Sequence, residues 1–234
     1  MKKILLILFT IHCSLFAFAQ PGWVKKATKS VFTLKTFDES GALIASSNGF
    51  FTGAQGEAVS SFAPFKGAVR AIIIDAQGKE LEVTGMMGAN EMYDVAKFRV
   101  AGKTQPLTVA AAIAPTGSNA WLLPYREMKK VPSGIVRKAE TFLNDYAYYT
   151  IAMQAPELAV SCPLLNDNGE VIGIIQPSAS SKDSLSYAVS ARFADSLKVN
   201  GLSLNDPAPR QTRIPIAITD NITACDSMVW TRNS

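Results

Sequence analysis

Along most of this 234-residue chain, apolar and polar side chains alternate in short runs rich in β-branched and aromatic residues. Val31 to Thr36, Val69 to Ile74 and Tyr146 to Met153 are the clearest, and that period predicts strands. Between such runs stand Ser40-Gly41, Gln55-Gly56, Gln77-Gly78 and Asn168-Gly169, each placing a glycine where a turn can require positive φ. One helix is predicted, Ala191 to Lys198, with Ser190 as its N-cap and Phe193, Ala194 and Leu197 on one face. Many short strands and so little helix predict an all-β protein, built as a sandwich or as barrels. There is no internal repeat. From about Gly201 the chain passes through Asn205-Asp206-Pro207-Ala208-Pro209-Arg210, which reads as a linker into a tail.

The N-terminal pattern is different. Lys2 and Lys3 precede the apolar run Ile4 to Phe9, and Ala17-Phe18-Ala19 puts small residues where a signal peptidase inspects the chain. Residues 1–19 are therefore expected to be a signal peptide, with Gln20 as the new terminus and a periplasmic or secreted location. A membrane anchor is the other reading of this segment, but Thr10, His12 and Ser14 interrupt it, whereas a spanning helix needs roughly 20 apolar residues. Removal also takes away His12, the sole histidine. The mature chain would have no imidazole.

Composition excludes several classes of function. The formal charge of +4 falls to about +2 without Lys2 and Lys3, which gives no basic field for nucleic acid. Nothing after the signal could span a bilayer as a helix. With no histidine and only Cys162 and Cys225 after position 19, a zinc site is not expected. No glycine-rich phosphate loop is present either, so no cofactor is expected. Trp23, Trp121, Trp230, Tyr146, Tyr148 and Tyr149 are read as packing residues, and Asn221-Ile222-Thr223 fits a glycosylation acceptor.

Several segments in order resemble the HtrA/Deg-type trypsin-like serine proteases. Asn48-Gly49-Phe50-Phe51 followed by Ala58-Val59-Ser60-Ser61-Phe62-Ala63 resembles the segment carrying that family's catalytic His, which falls on Ala63. Tyr93-Asp94-Val95-Ala96-Lys97-Phe98 is similar to the segment around the catalytic Asp, with Asp94 in its place. Pro132 to Val136 resembles a strand of the second barrel, and Pro163 to Ile174 resembles the stretch just after the nucleophile motif. Tyr187-Ala188-Val189-Ser190 looks like the pocket wall and the lead into the closing helix. The resemblance covers roughly Val31 to Leu197. It implies two six-stranded antiparallel barrels with the site between them, a short C-terminal helix and a tail. The expected division is 20–112 for the first barrel, 113–200 for the second and 201–234 for linker and tail.

The departures from that family concern its chemistry. Its Gly-Asn-Ser-Gly-Gly-Pro run is matched by Leu158-Ala159-Val160-Ser161-Cys162-Pro163, so Val160 falls on the nucleophile. A valine side chain has no proton to lose and no lone pair with which to attack a carbonyl. Leu158, Ser161 and Cys162 replace glycines, whose freedom at positive φ lets the loop aim N–H groups at an oxyanion. Asp94, facing Ala63, has no imidazole to orient and is read as an acceptor for backbone N–H groups near Phe62 and Ala63.

Two functions stay open at this point. The first is an exported pseudoprotease that holds a peptide, a protein partner or its own tail without cutting, and the residues after Gly201 are too few for a PDZ domain. The second is an active peptidase with Ser161 as a non-standard nucleophile and Lys97 or Lys182 as its base. Cys162 as a nucleophile has nothing nearby in sequence to lower its pKa. A Cys162–Cys225 disulfide is a further expectation. It would close a loop on the order of 64 residues, add about 4 kcal/mol and tie the tail across the cleft, with two independent thiols as the alternative.

Overall fold

The computed structural model describes residues 20–123, 131–142, 146–177 and 184–197. The expected signal peptide with His12, the tail from 201 with Asn221, Cys225 and Trp230, and Lys182 lie outside the described residues. Among those described, no helix is long and apolar enough to cross a membrane.

The alternating runs form twelve strands. β1 (Val31–Phe37), β2 (Leu43–Phe51), β3 (Glu57–Ser60), β4 (Arg70–Ile74), β5 (Glu80–Asn90) and β6 (Val95–Val100) close one antiparallel barrel in the order β1-β2-β3-β6-β5-β4. β7 (Asn119–Leu122), β8 (Ser133–Phe142), β9 (Tyr146–Ala152), β10 (Pro163–Leu165), β11 (Val171–Ile175) and β12 (Ser186–Ser190) close a second in the order β10-β11-β12-β9-β8-β7. Barrels, rather than a sandwich, result because β1 also pairs with β4 and β10 with β7, which leaves neither sheet an end.

Three hairpins share one turn device. Asp38, Asp75 and Asn166 each accept two backbone N–H bonds from residues two and four places on. Three residues after each stands a glycine at positive φ, Gly41, Gly78 or Gly169. The side chain satisfies the amides that the turn exposes, while the glycine takes the left-handed conformation at low strain.

Each barrel has its own apolar interior, Phe32, Leu34 and Phe98 in the first and Leu122, Ile151 and Leu164 in the second. A third cluster joins them. It contains Val31, Phe50, Val59 and Val95 from the first barrel with Leu165, Val171, Ile174 and Val189 from the second.

The expected short C-terminal helix is present, but its bounds and cap differ from those the spacing predicted. It is one turn long, α2 (Phe193–Ser196), with Arg192 at the N-cap position and no side-chain cap. Ser190 belongs to β12, and its hydroxyl accepts the Arg192 N–H at 3.3 Å. The periodicity is satisfied by packing, because Phe193 stacks between Tyr93 and Tyr146 with ring centroids 4.3 and 4.2 Å away. A second short helix, α1 (Val24–Ala27), was not visible in the sequence because it has no capping side chain and too few residues for a period. Trp23 ahead of it donates its indole N–H to the Asp167 carbonyl of the β10–β11 turn. Trp121 donates to the Asp167 carboxylate, so these two indoles pack and hydrogen-bond within the protein.

Candidate functional site

A cleft of about 460 Å³ opens between the barrels. The first barrel supplies Thr33, Ser46, Ser47, Asn48, Ser61 and Asp94, with Ala63 and Pro64 from the 3₁₀ turn Ala63–Phe65. The second supplies Glu157, Leu158, Val160 and Pro177. The structure thus brings Ala63, Asp94 and Val160, far apart in sequence, to one cavity.

Asp94 sits just before β6 at φ 50°, and its Oδ1 accepts the Ala63 N–H at 2.7 Å. The carboxylate therefore caps the turn that holds Ala63. Its field is felt by Tyr148, whose hydroxyl is pushed above its ordinary pKa first by burial and then by Asp94 and Tyr93.

The segment from Glu157 to Cys162 begins as a 3₁₀ turn, Glu157–Ala159. Its amides bond to protein carbonyls, most of them within the turn itself. Ala159 N–H donates to the Pro156 carbonyl at 2.8 Å, Val160 N–H to Glu157 at 3.4 Å, Ser161 N–H to Ile175 at 2.9 Å and Cys162 N–H to Ala159 at 3.0 Å. From the other barrel, Asn48 Nδ2 donates to the carbonyls of Leu158 at 2.6 Å and Val160 at 3.0 Å. One asparagine thus clamps the loop across the interface.

Ser161 is fully buried, at φ 68°. Its hydroxyl meets those of Ser61 and Ser47, the latter at 3.0 Å, and lies 3.3 Å from the Ser61 N–H. No amine or imidazole is among these partners. Lys97, one of the two candidate bases, lies on β6 opposite Val59 and does not line the cleft. Cys162 is completely buried in the core of the second barrel, where a cysteine packs as a small apolar group.

Ser47, Ser61, Asn48 and Glu157 were not singled out from the sequence. Asn48 and Ser61 lie within the segments already noted, but a lone serine or asparagine signals nothing until the barrels face each other. Among the described residues, no group of three metal-binding side chains converges.

No protein-family model matches the sequence, and no curated protein matches it. Solved structures do match. The Rv3671c protease of M. tuberculosis in its active form has a TM-score of 0.64 at 19% identity, over 75% of this chain and 82% of that one. An inactive serine-to-alanine mutant of the same protein has a TM-score of 0.61 at 21% identity, over 75% and 88%. At such identities the likeness establishes the fold, which is the trypsin-like double barrel.

Proposed function

We propose that this chain is a trypsin-like pseudoprotease, exported once residues 1–19 are removed, that holds peptide or protein segments in the inter-barrel cleft without cutting them. The observation that carries this reading is the 3₁₀ turn over Glu157–Ala159, in which the Val160 N–H, at the position that matches the family's nucleophile, donates to the Glu157 carbonyl at 3.4 Å. Acyl transfer needs N–H groups aimed at the developing oxyanion, and removing one such donor costs roughly 10²–10³ in rate. Here the Val160 N–H is turned to the loop's own carbonyl, its neighbours Ala159, Ser161 and Cys162 are likewise bonded to protein carbonyls, and Asn48 holds two of the loop's own carbonyls in place.

The side chains agree with the backbone. On the resemblance to HtrA/Deg-type proteases, the His, Asp and Ser positions carry Ala63, Asp94 and Val160, so the base and the nucleophile are both missing. The competing reading, hydrolysis through Ser161, needs a group that removes its proton. The hydroxyl instead ends in other hydroxyls, which are too weakly basic at neutral pH.

The test is hydrolysis of an unfolded protein such as reduced casein. It uses protein purified from the exported fraction, whose mass reports whether Gln20 is the first residue, beside a Ser161→Ala variant prepared the same way. No turnover by either is expected. Turnover that vanishes in the variant overturns the reading and assigns Ser161 as the nucleophile.

A further inference from the structure

The chain contains three Asn-Gly pairs, Asn48-Gly49, Asn168-Gly169 and Asn200-Gly201. In such a pair the backbone nitrogen after the asparagine can attack the side-chain amide, because glycine has no Cβ to shield it. Whether the attack runs in a folded chain depends on how both groups are held. Asn200-Gly201 lies outside the described residues, and the fold holds the other two in opposite ways. Asn48 is buried, its Nδ2 donates to the Leu158 and Val160 carbonyls, and Gly49 lies in β2 between Phe32 of β1 and Ser60 of β3. A Cβ at Gly49 would lie 2.5 Å from both Phe32 Cε2 and the Val59 carbonyl oxygen, so a ring has no room to close there.

Asn168 stands exposed in the β10–β11 turn, and its side-chain amide has no hydrogen-bond partner among the described residues. The Gly169 N–H is held by one bond, to the Asn166 carbonyl at 3.0 Å. A single bond at an exposed turn opens at low cost. Asn166, two places earlier, is spared. Its Oδ1 accepts the N–H groups of Asn168 and Glu170, its Nδ2 donates to the Glu170 carboxylate, and the residue after it is Asp167. The same turn anchors both indoles, since Trp23 donates to the Asp167 carbonyl and Trp121 to the Asp167 carboxylate, which also takes the Asn119 amide. Trp23 lies against the turn itself, where a Cβ at Gly169 would be 2.8 Å from its Cγ.

We infer that Asn168 is a site of spontaneous deamidation and that isoaspartate formed there releases Trp23, and with it α1, from the second barrel. Hydroxide takes the Gly169 N–H proton, the nitrogen bonds to Asn168 Cγ, and the Cγ–Nδ2 bond breaks as ammonia leaves with a proton from water. Water then opens the succinimide ring. Cleavage of the bond from nitrogen to Cγ gives aspartate, and cleavage of the bond from nitrogen to the main-chain carbonyl carbon gives isoaspartate. No oxidation or reduction takes place. Isoaspartate carries the main chain through Cβ, one methylene longer than before, so Asn166 Oδ1 no longer meets the amides two and four places on together. The Asp167 carbonyl moves with the turn, and the Trp23 indole loses its acceptor.

Ageing the protein from Gln20 beside an Asn168→Ser variant at mildly alkaline pH, where more of the attacking nitrogen is deprotonated, tests this. Peptide mapping with electron-transfer fragmentation locates each deamidated position and separates aspartate from isoaspartate. Conversion at Asn168 should outrun that at Asn48 by at least about tenfold, a factor set by the difference in local opening. In urea the two pairs should convert at similar rates, which makes the difference a property of the fold. Tryptophan emission should shift to the red in step with isoaspartate at position 168, as Trp23 enters water. The variant keeps Asn200-Gly201 and should show no such shift. An intact Asn168 in the aged protein, or conversion at Asn48 as fast as at Asn168, overturns the inference. So does a difference between the two pairs that persists in urea. Conversion at Asn168 with emission unchanged, or a red shift shared by the variant, overturns the release of Trp23.

Discussion

Asp94 and Ser161 are the two non-glycine residues at positive φ among those described, and both stand at the inter-barrel site. For an L-residue this conformation costs about 1–2 kcal/mol, with Asp and Asn the better tolerated. Asp94 recovers part of that through its bond to the Ala63 N–H, and the consequence is measurable by urea unfolding. Asp94→Asn keeps both the tolerance and the acceptor, so it should lose no more than about 0.5 kcal/mol. Asp94→Ala loses both and should cost about 2 kcal/mol. Equal losses would mean that the bond to Ala63 contributes nothing. A carboxylate without an imidazole to orient could be read from the sequence as an acceptor for nearby amides. The meeting of Ser47, Ser61 and Ser161 could not, because a serine hydroxyl carries no mark of a partner 100 or more residues away.

At the scale of elements, the turns separate backbone strain from packing. Gly41 and Gly169 occupy equivalent places in the β1–β2 and β10–β11 hairpins, at φ 80° and 78°. A Cβ at Gly41 would meet nothing within 4 Å, whereas one at Gly169 would lie 2.8 Å from Trp23 Cγ. Gly41→Ala should therefore cost about 1 kcal/mol through φ alone. Gly169→Ala should cost about 3 kcal/mol and displace Trp23, which a shift in tryptophan emission would report. Equal costs would show that Trp23 does not press on the turn. These elements also show what a sequence can disclose. β1 and β9 were legible because burial alternates along them. The glycines marked the turns, but the Asx side chains that satisfy them passed unnoticed. The helix at 191–198 was overextended because apolar spacing over so few residues does not distinguish several turns from one. It ends at Leu197, whose ψ of 86° leaves the helical region, while Phe193 at its start packs between Tyr93, at the first barrel's entry to β6, and Tyr146 of β9, a contact that no local pattern encodes.

For the whole molecule, the apolar cluster shared between the barrels decides how it unfolds. Were the two interiors separate, each barrel of roughly a hundred residues or fewer could melt independently, since domains of that size often do. Val31, Phe50, Val59 and Val95 instead pack in one cluster with Leu165, Val171, Ile174 and Val189, and Phe193 closes it. α1 adds a strap from the first barrel's entrance to the second barrel's β10–β11 turn through Trp23. Opening the interface would expose these side chains at roughly 25 cal/mol per Å², a loss comparable with the few kcal/mol by which a domain is stable. The barrels should therefore unfold together. Trp23 and Trp121 both hydrogen-bond to Asp167, so their fluorescence reports mainly on the second barrel, whereas circular dichroism reports strands of both. In urea the two signals should trace one transition with a common midpoint. Phe193→Ala, which removes the middle ring of the stack and costs about 3–4 kcal/mol, should lower that midpoint for both signals or separate them. Two midpoints in the unaltered protein would mean that the shared cluster does not couple the barrels. The cleft would then be a seam between independent domains and not a preformed groove.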